Sequence, residues 1–329
     1  IQQALDGTPI VDGLYRCELK RGTDDFIEFC NPFDKEIKLE NFYRSDNSEK
    51  KAKLRFPVRI LQPGAYAFVF LMGKEYTVEE ATDDSFKDVQ IALFAGGAAS
   101  KAFAPAAVKA GAVVVDNSSA FRMDPEVPLV VPEVNPEAIA NHKGIIANPN
   151  CSTIIMVMAL KPLYNVSKIK RVVVSTYQAV SGGGKEAMAE LEEQVKAINE
   201  GRPVVANILP GASLAKHYQI AFNLIPQIDV FKDNLYTKEE MKMIDETKKI
   251  MNDDSMRITA TTIRVPVYRS HAESVNVEFE DEISVEKARE VLAAFPGVTL
   301  TDNPDEQIYP MPLETFGKDD VEVGRIRKD

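Results

Sequence analysis

Ile145-Ile146-Ala147-Asn148-Pro149-Asn150-Cys151-Ser152-Thr153 runs straight into the apolar series Ile154-Ile155-Met156-Val157-Met158-Ala159-Leu160. Asn148-Pro149-Asn150 is turn chemistry that ends a short strand, and the spacing predicts a helix of roughly three turns that begins at the cysteine. A thiol at that point meets unpaired backbone N–H groups and the positive end of the helix dipole, an arrangement that lowers its pKa. Cys151 is therefore a candidate nucleophile. The plain alternative is a small buried hydrophobe, since free cysteine is among the most buried residue types.

Outward from this stretch, the 329 residues are 45% hydrophobic, enough for two cores, so two main domains are expected. A formal net charge of -11 argues against nucleic acid or an anionic membrane as partner, because either would be repelled. A small anionic ligand can still use a local basic pocket. The cysteines at 17, 30 and 151 form no disulfide framework, and no apolar run reaches membrane-spanning length. Nothing at the N-terminus reads as a signal peptide. A cytoplasmic setting and a small-molecule substrate are expected. Scattered histidines and cysteines give no zinc-type spacing.

On the N-terminal side, residues 1–72 alternate in the strand period at Phe26 to Cys30, Glu36 to Leu39 and Ala65 to Phe70, with turn signals between. A small antiparallel sheet is expected there, with Cys17 and Cys30 as core residues. After that the pattern becomes alternating strands and helices, the mark of an α/β architecture. Val89 to Phe94 and Ala112 to Asp116 read as buried parallel strands around a helix from Lys101 to Ala110. Asp116-Asn117-Ser118-Ser119-Ala120-Phe121-Arg122 follows the second strand's carboxyl end, where open α/β sheets bind ligands. Arg122 is a ligand candidate, or else a surface arginine paired with Asp124 or Glu126.

On the C-terminal side, a strand from Arg171 to Tyr177 leads into Gln178-Ala179-Val180-Ser181-Gly182-Gly183-Gly184-Lys185. The spacing is wrong for a P-loop. Glycines ahead of a helix from Glu186 to Asn199 either let a ligand approach the backbone or form a plain connector. Thr237 and Glu240 predict a capping box at the head of the next helix. Glu239 and Lys242 share a face of it, and by spacing alone an ordinary surface ion pair is the preferred reading. Met256 to Val267 reads as a strand, followed closely by His271. A lone histidine is usually structural, although Arg264 brings a fixed positive charge to its neighbourhood.

Taken together, Asn117-Ser118-Ser119-Ala120-Phe121-Arg122-Met123, Val127 to Asn135, Asn148 to Thr153, Gln178 to Gly182, and Arg264-Val265-Pro266-Val267 with His271 resemble the bacterial aspartate-semialdehyde dehydrogenases from about residue 74 to the C-terminus. Residues 1–72 weakly resemble a lamin-tail-type immunoglobulin-like module, through Asp25 to Leu39 and Leu61 to Tyr66. The expected fold is α/β, a partial Rossmann-like parallel sheet over 73–150 and an α+β catalytic and dimerisation domain over 151–329, preceded by the all-β segment 1–72. The resemblance implies Cys151 as nucleophile and His271 as general acid/base, with Gln178 orienting the substrate. It implies Arg264 and Glu239 on the carboxylate and amino group of the aspartyl part, and Arg122, Asn150 and Lys242 on the phosphate. The implied reaction is reversible NADPH-dependent reduction of aspartyl phosphate, in a homodimer. A thioester suits that chemistry, because it splits one high barrier into two lower ones.

Two departures stand beside the resemblance. No G-x-x-G-x-x-G occurs in residues 1–72, and the family's closing segment would follow Asp329. Ser181, Gly182 and Asn117 are what the resemblance leaves of the cofactor pocket. The competing reading is an incomplete or chimeric chain that serves only as a dimerising or binding module. The related N-acetyl-glutamyl-phosphate reductases fit Gln178 and the Glu239 to Lys242 segment less well.

Overall fold

The computed structural model describes residues 81–329 in full and, within residues 1–80, only the backbone of short strands. Contacts divide the chain into two units, 1–82 and 83–329, and each is taken by itself. In the first, β1 (Tyr15–Leu19), β2 (Asp25–Cys30) and β3 (Tyr66–Leu71) form an antiparallel sheet in that order. The core roles expected for Cys17 and Cys30 and the lamin-tail resemblance concern side chains and loops outside the described residues.

The second unit opens with β4 (Ile91–Phe94), α1 (Gly97–Lys109), β5 (Val113–Asp116) and β6 (Ile145–Ala147), whose strands are all parallel in the order β6-β5-β4. Helix α1 starts a turn before the predicted Lys101. The glycines before it read as a turn, but the alanines that follow them are the best helix formers. Ser100 N–H closes the first turn on Gly96 O at 2.6 Å, and the Ser100 hydroxyl donates to buried Asp116 at 2.7 Å. That side-chain bond ties the helix start to the end of β5.

Helix α2 (Cys151–Tyr164) begins where the sequence predicts, because Asn150 caps it by accepting from Ser152 N at 3.0 Å and Thr153 N at 3.2 Å. Its residues are apolar nearly all round, and Met156, Val157, Met158 and Leu160 are buried in the main core. Burial of each such side chain contributes about 1.5–3 kcal/mol. The nucleophile candidate is thereby fixed at the end of a rod that the core cannot release.

The other side of that core is a mixed sheet. Strand β7 (Ile169–Gln178) precedes α3 (Lys185–Asn199) and α4 (Lys238–Met251), and then come β8 (Arg257–Arg264) and β9 (Ala272–Phe279). The sheet order is β8-β7-β9, with β8 parallel to β7 and β9 antiparallel to it. Strand β8 ends at Arg264, short of the predicted Val267; Pro266, just beyond it, has no N–H to give a ladder. Alternation sends Val172, Val174, Thr176 and Gln178 of β7 and Ala260, Thr262 and Arg264 of β8 to one buried face. Register pairs Gln178 directly with Arg264, so two site candidates leave the sheet side by side. The predicted capping box of α4 is formed: Thr237 Oγ1 accepts from Glu240 N at 3.2 Å, and Glu240 returns to Thr237 N at 2.6 Å. Helix α5 (Val285–Ala293) and the parallel pair β10 (Val298–Leu300) and β11 (Val321–Val323) complete the unit.

Candidate active site

A cleft of about 360 Å³ opens over the head of α2, and Cys151, Arg122, Asn150, Gln178, Arg264 and the Glu239–Lys242 pair all line it. A second hollow, beside Phe222, Asn223, Leu224 and Pro266, contains no ionisable group. Chemistry therefore concentrates at the first.

Glu239 is the hub. Its Oε1 accepts from Asn150 Nδ2 at 2.9 Å and Gln178 Nε2 at 3.1 Å, while Oε2 meets Lys242 Nζ at 2.9 Å. Burial raises its pKa, but the Lys242 charge and these hydrogen bonds outweigh burial and hold the carboxylate below its ordinary range. At 5% exposure Glu239 is no member of an ordinary surface ion pair, which corrects the reading from spacing. Gln178, 1% exposed, is locked at both ends, since its Oε1 accepts from Thr176 Oγ1 at 3.0 Å.

Arg122 is buried too, and its partner is neither Asp124 nor Glu126 but Glu246, at 3.2 Å. Its Nε donates to Asn148 O at 2.9 Å and its Nη2 to Asn117 O at 3.0 Å. A second N–H remains on each Nη nitrogen. Glu246 gave no sign in the sequence. Its other oxygen accepts from Asn150 N at 2.6 Å; burial raises its pKa, and Arg122 and that amide offset only part of the rise. Asp229 was missed as well, because it lies in a loop without a motif; it lines the cleft and meets Lys242 at 3.5 Å.

Arg264 is held differently. Its Nη1 donates to Ala179 O at 2.7 Å, but its Nε is a buried donor with no partner. His271 Nδ1 accepts from Ala179 N at 3.0 Å, so the neutral ring carries its proton on Nε2. Burial, then the Arg264 charge, push the His271 pKa down to about 4. The ring is thus neutral near physiological pH. Gly182 lies against both groups: a Cβ there would come 2.7 Å from Arg264 Nη1 and 3.3 Å from His271 Nε2. Gly182 is thus a position where two of the chain's own side chains pack against the backbone. Ser181 N donates to Tyr268 O at 3.0 Å, and Asn117, at the end of β5, accepts from Asn148 Nδ2.

Cys151 reverses one expectation. Its side chain is exposed to the open cleft, yet the walls crowd it, and this desolvation together with the Glu239 carboxylate raises the thiol pKa. Hydrogen bonds with Ser152 and the Arg264 charge oppose the rise without cancelling it. Sequence reasoning counted the helix terminus and could not count a carboxylate brought from position 239.

Residues 29–142 match the semialdehyde dehydrogenase NAD binding domain, and residues 160–329 match the semialdehyde dehydrogenase dimerisation domain. The aspartate-semialdehyde dehydrogenase of Bacillus subtilis is 56% identical over 79% of this chain and 76% of its own length. That of Aquifex aeolicus is 58% identical over 78% of this chain and 75% of its own. The crystal structure of aspartate semialdehyde dehydrogenase II from Vibrio cholerae superposes with a TM-score of 0.72 at 47% identity, covering 80% of this chain and 76% of that one. Among the described residues no helix is long and apolar enough to cross a membrane. With both domain matches in chain order and identity above one half to two such relatives, the chain belongs to the aspartate-semialdehyde dehydrogenases, oxidoreductases of amino-acid biosynthesis with a nicotinamide-nucleotide-binding domain.

Proposed function

We propose that the cleft runs the reversible, NADP-dependent reduction of aspartyl 4-phosphate to aspartate semialdehyde through a thioester on Cys151, in the biosynthesis of lysine, threonine and methionine. The observation that carries this reading is the meeting of a solvent-accessible thiol, two buried arginines and a Glu239–Lys242 pair in one cleft. The Cys151 sulfur bonds to the acyl carbon as the carbon–oxygen bond to phosphate breaks, and the thiol proton leaves on the phosphate. Arg122, Asn150 and Lys242 hold the departing phosphate, with the planar guanidinium suited to two oxygens at once. Arg264, which lines the cleft, binds the substrate carboxylate, and Glu239 binds the amino group. Gln178 orients the acyl group. His271 is the general acid/base, and in its resting tautomer Nε2–H donates to the oxygen on which charge develops.

A nicotinamide nucleotide supplies the hydride when bound. The chain's own backbone fits its approach at Gly182, where a side chain would strike Arg264. Ser181, Gly182 and Asn117 would hold it. We read residues 73–150 as the nucleotide half and 151–329 as the catalytic and dimerisation half, after a separate segment 1–72, although the NAD-binding match reaches back to residue 29. A homodimer is inferred from the open face of the β7–β9 sheet, where Arg171, Tyr177, Ser274 and Asn276 are exposed. A thiol that must stay reduced suits the cytoplasm.

The test is turnover with aspartate semialdehyde. NADP reduction is expected only when inorganic phosphate is present, and Cys151→Ala is expected to abolish it. Turnover retained in that variant removes the sulfur from the mechanism. Equal rates with NAD overturn the cofactor choice. Failure to bind NADPH in calorimetry leaves a dimerising or binding module instead.

A further inference from the structure

The cleft's arginine at position 122 is held by a buried carboxylate, that of Glu246, which does not itself line the cleft. We propose that Glu246 is a positioning residue for the phosphate half of the substrate: one carboxylate oxygen orients Arg122, and the other holds the backbone amide that immediately precedes the nucleophile. This rests on the assignment of Arg122 to phosphate.

The geometry has three parts. Glu246 Oε1 meets Arg122 Nη1 at 3.2 Å and Oε2 accepts from Asn150 N at 2.6 Å, so one carboxylate spans the anion site and the cap of α2. Its side chain is 2% exposed and that of Arg122 is 10% exposed, which excludes most competing water. The guanidinium is further fixed by Asn148 O and Asn117 O, and the N–H that remains on each Nη nitrogen is what an anion can use. Removal of the carboxylate leaves Nη1 without its partner and the guanidinium held by the two carbonyls alone.

Helix α4 makes this side chain a fixed point. Glu239, Lys242, Glu246 and Lys249 recur every three or four residues and so share a face of α4. Lys249 Nζ donates to the carbonyls of Arg122, Asp124 and Val127 at 2.7, 2.7 and 2.8 Å, which ties the loop that carries Arg122 to the same helix. On the far side, Glu240 accepts from Thr262 N at 3.0 Å and joins α4 to β8. A buried ion pair is weak evidence for stability, since an apolar pair of similar volume often serves as well. The directional bonds at both carboxylate oxygens are what an apolar pair could not reproduce.

The experiment is steady-state kinetics of the full chain in the phosphate-dependent direction, with inorganic phosphate varied at saturating NADP and aspartate semialdehyde. Glu246→Gln is expected to raise KM for phosphate about tenfold or more, while KM for aspartate semialdehyde changes less than about twofold. Glu246→Asp, which keeps the charge on a shorter stem, is expected to fall between parent and Gln variant. Arg122→Leu is expected to raise KM for phosphate at least as far, and the Arg122→Leu/Glu246→Gln double variant no further, because one acts through the other. An unchanged phosphate KM in Arg122→Leu overturns the phosphate assignment of Arg122. A raised value there with an unchanged value in Glu246→Gln overturns the role of Glu246 alone. Equal losses in kcat and in both KM values also overturn it, since that is the mark of a structural residue. Should the Gln variant fail to fold, the Asp variant carries the same comparison.

Discussion

The two arginine corners of the cleft differ in how far the protein itself satisfies them. At the Arg122 corner, Glu246, Asn148 O and Asn117 O bond all three guanidinium nitrogens. At the Arg264 corner, Ala179 O takes Nη1, and Nε is buried without a partner. The first arginine is rigid before any ligand arrives, and its burial is compensated by a carboxylate. The second is left short, and burial lowers its pKa, with only the more distant Glu239 and Cys151 charges opposing the shift. An unpaired buried donor costs about 1–3 kcal/mol, a cost that Arg264 carries and Arg122 does not. Preorganisation at one end and unmet demand at the other suit a leaving group that must be steadied and a carboxylate that must be recognised.

The comparison breaks most readily at Arg264. Lysine there keeps the charge but loses the planar fork, so Arg264→Lys is expected to lower kcat/KM for aspartate semialdehyde by about a hundredfold. KM for phosphate should move far less. Steady-state kinetics with each substrate varied in turn makes the check, and a larger effect on phosphate would exchange the roles of the two corners.

How much of this contrast the sequence disclosed depends on chain distance. The helix start at Cys151 and the box of Thr237 and Glu240 rest on bonds two or three residues long, and both stand where local pattern put them. The surface pairings that seemed natural for Arg122 and for Glu239 were also local guesses. Both fail because tertiary partners displace them, Glu246 lying 124 residues from Arg122 and Asn150 lying 89 from Glu239. The alternating strands and helices from residue 91 were legible as apolar runs between turn signals, but the strand read as buried over Val89 to Phe94 begins at Ile91 and leaves Ile91 and Leu93 exposed. Glu246 and Asp229 were not, because a carboxylate on a polar helix face or in an irregular loop looks like any solvated one until the chain folds over it.

The carboxylate at the hub gives a sharper test of the same contrast. Glu239 raises the Cys151 pKa and Arg264 lowers it, so the sulfur lies between opposed charges. Glu239→Gln removes the raising charge and leaves the lowering one. The thiol of the variant is therefore expected to deprotonate at lower pH than that of the parent. Iodoacetamide alkylation of Cys151, followed by mass spectrometry across pH 6–10, is the measurement. An upward shift, or none, would mean that desolvation alone sets the thiol and that the corner charges do not reach it.

The smallest expected effect concerns a second buried carboxyl, and it contrasts with Glu246 as Arg264 contrasts with Arg122. Glu246 has Arg122 and the Asn150 amide as partners. Both oxygens of Glu273 in β9 are sealed from solvent with no partner, opposite Thr176 in register, and burial raises its pKa well above 4.5. A folded-state pKa above the unfolded value means that the folded chain binds the extra proton. The stabilising contribution is full below about pH 4.5 and is lost as pH climbs through the folded-state pKa. Glu273→Gln keeps the shape and cannot ionise, so the variant is expected to hold its stability where the parent loses it. Urea unfolding at pH 5 and pH 8 should show a gain of about 1–3 kcal/mol at the higher pH and a smaller gap at the lower. Parallel pH dependence in parent and variant would instead mean that Glu273, like Glu246, has found something to hold.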